Sequence, residues 1–129
     1  MAKILVVDDD ESIRWVLAQL VEHIGHAAFK CRDGQRALDA LMDNPDIELI
    51  ITDVSMPGMD GRTLIRKVRA LEDFKRLPII IISGVVGPRE IADVLDLGAT
   101  AFLAKPVSAG DLNEYIKRYI DPSSQSAHA

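Results

Sequence analysis

The side chain whose placement most invites chemistry is Asp53. In ELIITDVSMPGMDG (Glu48–Gly61) it follows the apolar run Leu49-Ile50-Ile51 and precedes Met56-Pro57-Gly58 and Gly61. Such a run, with two β-branched members, suits a strand buried on both faces, and the Pro and Gly residues end it. A carboxylate is thereby held at the carboxyl end of a buried strand, facing a loop. Ligands of open α/β sheets bind at that edge. Taken alone, Asp53 reads equally well as an aspartate capping the next turn.

Three other strand ends carry polar groups of the right kinds. Asp8 and Asp9 follow KILVV (Lys3–Val7), Ser83 follows Ile79–Ile82, and Lys105 follows Thr100–Ala104. If the strands are parallel, all these groups lie on one side of the sheet. If the first and third strands are neighbours, Asp8, Asp9 and Asp53 crowd together. Three adjacent carboxylates repel one another and stay ionised only around a cation. Hard oxygen ligands with room for water suit Mg²⁺ or Mn²⁺. A carboxylate beside a divalent cation, faced by a lysine and a hydroxyl, is arranged to receive a dianionic phosphoryl group. Asp53 is then the nucleophile and forms an acyl phosphate. Lys105 is a point charge on one phosphoryl oxygen, and the Ser83 hydroxyl hydrogen-bonds another. The plainer reading makes Asp8-Asp9-Asp10 an acidic helix cap, Lys105 a solvated lysine and Ser83 a turn residue. Convergence of these groups on one edge favours the site.

The elements that must position these groups follow from hydrophobic periodicity. Ile13, Val16, Leu17, Leu20, Val21 and Ile24 recur at helical spacing, with Asp10 or Ser12 as cap and Gly25 as stop. Trp15 falls off that stripe and is expected to be part-exposed. Ala27–Cys31 is a weaker strand suited to a sheet edge. A second helix carries Ala37, Leu38, Leu41 and Met42 and closes at Asn44-Pro45; a third carries Leu64, Ile65, Val68 and Leu71 to about Glu72. Gly87-Pro88 precedes a fourth helix with Ile91, Val94 and Leu95 inward and Gly98 as stop. Ser108 or Asp111 opens a fifth, carrying Leu112, Tyr115, Ile116 and Tyr119. Strand and helix thus alternate five times. This predicts a flavodoxin-like, doubly wound α/β fold: a five-stranded parallel sheet in order 2-1-3-4-5 with five helices.

Composition bounds the reading. The 129 residues make one domain, with 48% hydrophobic and 27% charged residues and a net charge of −5. The absence of a basic run argues against nucleic acid as a direct partner. One cysteine, Cys31, suits a reducing compartment and reads as a small core filler. The apolar run after MAK is too short for a signal peptide, and no stretch matches a membrane span, so a cytoplasmic protein is expected. The histidines (His23, His26, His128) show no metal-ligand spacing. There is no Walker A loop, which argues against nucleotide binding through that motif. Residues 121–129 (DPSSQSAHA) read as a polar tail that frays beyond a domain of residues 1–120.

With these motifs assembled, the chain resembles the receiver domains of two-component response regulators, the CheY-like family, from Ile4 to Ile120. The resemblance is carried by LVVDDD, TDVSMPGMDG, IIISG and FLAKP, and the start ILVVDDDESIRWVL is similar to receivers of the nitrogen-regulation type. It implies Asp53 as phospho-acceptor, Asp9 as direct Mg²⁺ ligand and Asp8 as a ligand through water, with the Ser55 backbone carbonyl completing the protein's share. It implies Ser83 as the switch hydroxyl, Lys105 as the conserved-type lysine, and a cis Lys105–Pro106 bond, which X–Pro pairs adopt cheaply. Phe102 takes the switch-aromatic position, though it reads equally as a core phenylalanine.

The resemblance also implies a sensor histidine kinase or histidine phosphotransfer protein as donor and a downstream protein as target. The chain would catalyse only its own phosphorylation and dephosphorylation, acting as a monomer or a phosphorylation-dependent dimer. Phosphorylation would draw in Ser83, let Phe102 rotate inward and reshape the face made by the fourth helix, fifth strand and fifth helix. With no output domain after the fifth helix, the sequence reads as a stand-alone receiver or a piece of a longer regulator. Ser55 and Val85 depart from the commonest pattern. Apolar Val85 cannot orient an attacking water, which predicts a long-lived phosphoryl group. The loop Gly84–Pro88 is apolar and glycine-rich, which suits mobility or a partner contact, although ordinary loop packing is the preferred reading.

The main alternative is a haloacid-dehalogenase-type aspartate phosphohydrolase built on Asp8-Asp9-Asp10, but it lacks that family's second acidic motif and leaves Asp53 without a role. An FMN-binding flavodoxin is a third reading. Its phosphate loop would be replaced by three aspartates that repel phosphate.

Overall fold

Runs of β-branched residues build the centre of the sheet. In the computed structural model, which describes residues 1–56, 58–84 and 87–120, the strands are β1 (Lys3–Val7), β2 (Ala27–Cys31), β3 (Leu49–Asp53), β4 (Ile79–Ser83) and β5 (Ala101–Ala104). They pair in parallel in the order β2-β1-β3-β4-β5, the flavodoxin-like order expected. Every residue of β3 and β4 is buried. Each Ile that vanishes from solvent there contributes about 2 kcal/mol of burial free energy. The edge strand β2 is half-exposed until Cys31, as its weaker apolar pattern predicts.

Alternate side chains of each strand feed two separate cores. On one face Leu5, Val7, Ile50, Ile79 and Ile81 pack under α2 (Gly34–Asp43), α3 (Gly61–Ala70) and α4 (Pro88–Leu97). On the other, Ile4, Val6, Leu49, Ile51, Ile80 and Ile82 pack under α1 (Glu11–Ile24) and α5 (Ala109–Tyr119). A two-residue period with both faces apolar requires this double winding.

Helix starts and stops have local causes. The carboxylates of Asp10, Asp33 and Asp60 and the hydroxyl of Ser108 accept from backbone N–H groups three residues on, capping α1, α2, α3 and α5. Asp10 rather than Ser12 caps α1, and Ser108 rather than Asp111 caps α5. Helices α1 and α4 stop at Gly25 and Gly98, at φ 106° and 119°, the left-handed region that glycine enters without steric cost. Helix α3 ends at Ala70, and a short 3₁₀ turn, Glu72–Phe74, carries the chain toward β4. Arg69 fastens this corner: Nε and Nη2 donate to the Gly98 carbonyl at 3.0 and 2.8 Å, and Nη1 donates to that of Phe74 at 2.9 Å.

Three stripe residues differ from expectation. Val16, Met42 and Leu95 are 48%, 64% and 42% exposed, because each lies at the margin of its helix's apolar face, beyond the width the sheet covers. Trp15 is exposed, as expected. Cys31 is buried, and burial pushes its thiol up to about 11, which suits a core filler. His23 is exposed, whereas half-buried His26 accepts the Ala2 N–H on Nδ1. The expectations concerning Val85, Pro57, His128 and the tail fall on residues outside those described.

Candidate functional site

The capping of α1 by Asp10 leaves its two neighbours free for other work. Asp8 is pulled inward at the end of β1, only 1% exposed, while Asp9 remains exposed. Because β3 lies beside β1, with Val7 paired to Thr52, Asp53 comes up alongside them. One ligand oxygen from each of Asp8, Asp9 and Asp53 lies within 4.8 Å of the others. Asp53 itself is 7% exposed.

Two of the three carboxylates are oriented by backbone. Asp8 Oδ1 accepts from the Asp10 N–H at 2.9 Å, and Asp53 Oδ1 accepts from the Ser55 N–H at 3.2 Å. Arg14 Nη1 donates to the Asp8 carbonyl at 2.8 Å, pinning the end of β1 from the first turns of α1. Lys105 enters from the far side. Its Nζ lies 3.1 Å from Asp53 Oδ2 and 3.3 Å from Asp8 Oδ2, bridging the two carboxylates. The Lys105 backbone N–H donates to the Ser83 carbonyl at 2.9 Å, and the Lys105–Pro106 peptide bond is cis, as the resemblance implied.

The electrostatics are those of a site with too much negative charge for its burial. Burial pushes the Asp8 carboxyl above the usual range, and nearby Asp53 pushes it further. The Asp10 N–H and the Lys105 ammonium only partly offset this. Burial works against the Lys105 ammonium, but the hydrogen bond to Asp53 and the charges of Asp53 and Asp8 outweigh it and raise its pKa. Asp8 Oδ2 has the ion pair but no hydrogen bond, a buried carboxylate oxygen still lacking a donor. Three hard oxygens drawn from Asp8, Asp9 and Asp53, beside a buried carboxylate oxygen that lacks a hydrogen bond, fit a small divalent cation such as Mg²⁺.

The remaining predicted residues border the cluster. Ser83, buried at the end of β4, lines a cavity of about 110 Å³ with Phe102, Val54, Ser55, Arg62, Glu90 and Val94. Phe102 lies on β5, adjacent to β4, half-buried and packed against the core beneath α3 and α4. It therefore touches both the core and the cavity.

Two residues were not singled out from the sequence as part of this neighbourhood. Arg14 holds Asp8, a role that no spacing signal announces. Gly61, read only as a strand breaker, starts α3 so close to the end of β3 that a Cβ would lie 2.6 Å from the Asp53 carbonyl oxygen and 2.7 Å from Val54 Cα. Both contacts are backbone, so they cannot swing aside. Gly61→Ala should therefore destabilise the protein by roughly 2–3 kcal/mol. Urea unfolding measures this, and an unchanged midpoint would contradict the contact.

Comparison with known proteins agrees with this geometry. The model of the response regulator receiver domain family matches residues 4–117. A chemotaxis protein CheY homolog of Campylobacter jejuni is 32% identical over 123 residues, covering 95% of each chain. The structure of the chemotaxis protein CheY4 of Vibrio cholerae superposes with a TM-score of 0.88 at 31% identity, covering 92% of this chain and 98% of that one. A response regulator receiver protein of Pseudomonas putida does so with a TM-score of 0.84 at 36% identity, covering 91% and 96%. No described helix is long and apolar enough to cross a membrane. With its five-stranded sheet and acidic cluster, the chain belongs to the response regulator receiver domain family of two-component signalling, whose members act as CheY-like signalling switches.

Proposed function

We propose that this receiver domain accepts a phosphoryl group on Asp53 from a phosphohistidine of a sensor kinase or phosphotransfer protein, and passes the signal to a downstream protein or along a relay. The observation that carries this is the bridging of Asp53 and Asp8 by Lys105 beside three clustered carboxylates. A carboxylate oxygen of Asp53 attacks phosphorus, the phosphorus–nitrogen bond breaks, and the imidazole departs with its electron pair. Lys105 is already charged and aimed at the acceptor, so it neutralises phosphoryl oxygen charge without reorganising. Asp8, Asp9, Asp53 and the Ser55 carbonyl would hold Mg²⁺. When bound, the ion supplies positive charge against the incoming phosphoryl oxygens. Ser83 donates its hydroxyl to the acyl phosphate, and Phe102 moves into the space this frees, changing the α4–β5–α5 face. That face would then select the partner. The proposed domain spans residues 1–120.

The switch is tested by amide NMR with and without a beryllofluoride mimic of the phosphoryl group. Shifts should spread through residues 84–119. Identical spectra over that range would end the proposal.

A pH effect follows from Asp8. Because its folded pKa is raised, the folded state binds more protons than the unfolded one between the ordinary aspartate value and the folded value. Metal-free stability therefore falls as pH rises through that window. A cation favours the ionised form, so the melting-temperature gain from added Mg²⁺ should grow as pH rises above the ordinary aspartate value and shrink in Asp8→Asn. A gain independent of pH in this range would contradict the role of Asp8.

A further inference from the structure

The net charge of −5 makes a concentration of positive charge on this molecule unusual, and one exists at the carboxyl end of β2. Arg14, Lys30, Arg32 and Arg36 line, together with Cys31, a solvent-open pocket of about 340 Å³. The four come from three separate elements: Arg14 from α1, Lys30 and Arg32 from β2 and its exit, and Arg36 from the first turn of α2. Two are already partly committed. Arg14 Nη1 donates to the Asp8 carbonyl, and Arg36 Nε lies 3.3 Å from Asp33 Oδ2. The side chains of Lys30 and Arg32, both exposed, make no ion pair or hydrogen bond with any described residue. The floor is a thiol that burial keeps neutral, so Cys31 adds no negative charge.

Holding four like charges around one pocket costs repulsion that local pairing does not remove, since among the described residues Asp33 is the only carboxylate with a salt bridge to any of them. An anion placed among them relieves it. Guanidinium forks match phosphate oxygens two at a time, and an ammonium between them adds a point charge. Four cations against one engaged carboxylate suit a ligand carrying more than two negative charges. The lining has no aromatic or apolar side chain to hold a base, so recognition falls on a phosphate chain and not on a nucleoside.

We propose that Arg14, Lys30, Arg32 and Arg36 form a binding site for oligophosphate anions, pyrophosphate or the phosphate chain of a nucleotide, separate from the acceptor carboxylates. Arg14 belongs to both neighbourhoods. A ligand that draws its guanidinium outward loosens the hold on the Asp8 carbonyl, giving the pocket a physical route to the acidic cluster.

The experiment is an amide NMR titration of the full chain in metal-free buffer at constant ionic strength, using pyrophosphate, ATP, sulfate and polyglutamate in separate arms. Saturable shifts at residues 14 and 30–36 with pyrophosphate are expected. Equal affinity for ATP would identify the phosphate chain as the element recognised, and weaker binding of ATP would favour free pyrophosphate. In a Lys30→Gln/Arg32→Gln protein, whose changes lie on exposed side chains, binding should weaken about tenfold or more. Lys117→Gln, a lysine of helix α5 outside the pocket lining, should change nothing. Sulfate reproducing the pyrophosphate shifts, unchanged affinity in the double variant, or response to polyglutamate alone would overturn the proposal, the last in favour of an acidic protein face. Asp53→Asn should bind pyrophosphate normally, so failure here leaves the acceptor assignment untouched, and the reverse also holds.

Discussion

Asp53→Asn is expected to abolish phosphoryl uptake from a small acyl-phosphate donor in the presence of Mg²⁺. The carboxamide has the size and shape of the carboxylate it replaces, so the Ser55 N–H can still donate to Oδ1 and the strand is undisturbed. What disappears is the proposed nucleophile. A neutral amide oxygen cannot displace a leaving group from phosphorus at a useful rate, and one of three clustered oxygens loses its charge. Stability of the metal-free protein should barely move, because losing the ion pair to Lys105 is offset by relief of repulsion with Asp8. Intact-mass analysis after donor treatment reads the result. Phosphate found on another residue of the variant would sink the acceptor assignment.

Lys105→Met should separate chemistry from metal binding. Methionine keeps much of the length and apolar stem of lysine but removes the charge that bridges Asp53 and Asp8 at 3.1 and 3.3 Å. Removing one preorganised charge from a site that handles a phosphoryl group costs about a hundredfold in phosphorylation rate. Metal-free stability should fall by roughly 2–4 kcal/mol, since two buried carboxylates are left without a counter-charge. Mg²⁺ affinity should rise in the same protein, because the cation no longer competes with an ammonium for Asp8 and Asp53. Stopped-flow phosphorylation and a metal-binding isotherm measure the two effects. A variant that binds Mg²⁺ more weakly than the parent would show that Lys105 positions the carboxylates more than it balances their charge.

Legibility in the sequence followed the strength of the local signal. Strands with continuous apolar runs, such as Ile79–Ile82, are read directly, because burial on both faces leaves no position for a polar residue. Helix limits were legible at Gly25 and Gly98, where backbone conformation depends on one residue. Stripe width was not. Val16, Met42 and Leu95 fit the helical period, yet whether an apolar residue at the stripe margin is covered depends on the neighbouring layer.

The acidic neighbourhood was legible for a different reason. The flavodoxin-like strand order makes β1 and β3 neighbours, and a parallel sheet puts Asp8, Asp9 and Asp53 on one edge, so topology stands in for distance. The same order says nothing about which oxygen accepts from which donor. Only the folded chain shows that Asp10 caps α1 while Asp8 turns inward, and that Lys105 spans two carboxylates instead of one.

By itself, then, the sequence determined the fold class and the edge at which acids, hydroxyl and lysine collect, since these follow from period and connectivity, while the strand order was legible through the flavodoxin-like arrangement such a chain adopts. Tertiary structure alone decided how closely α3 approaches Asp53 at Gly61, how Arg14 grips Asp8, and how four cations from three elements come to share one pocket. Those are contacts between segments distant along the chain. They depend on the packing of layers, which no local pattern encodes.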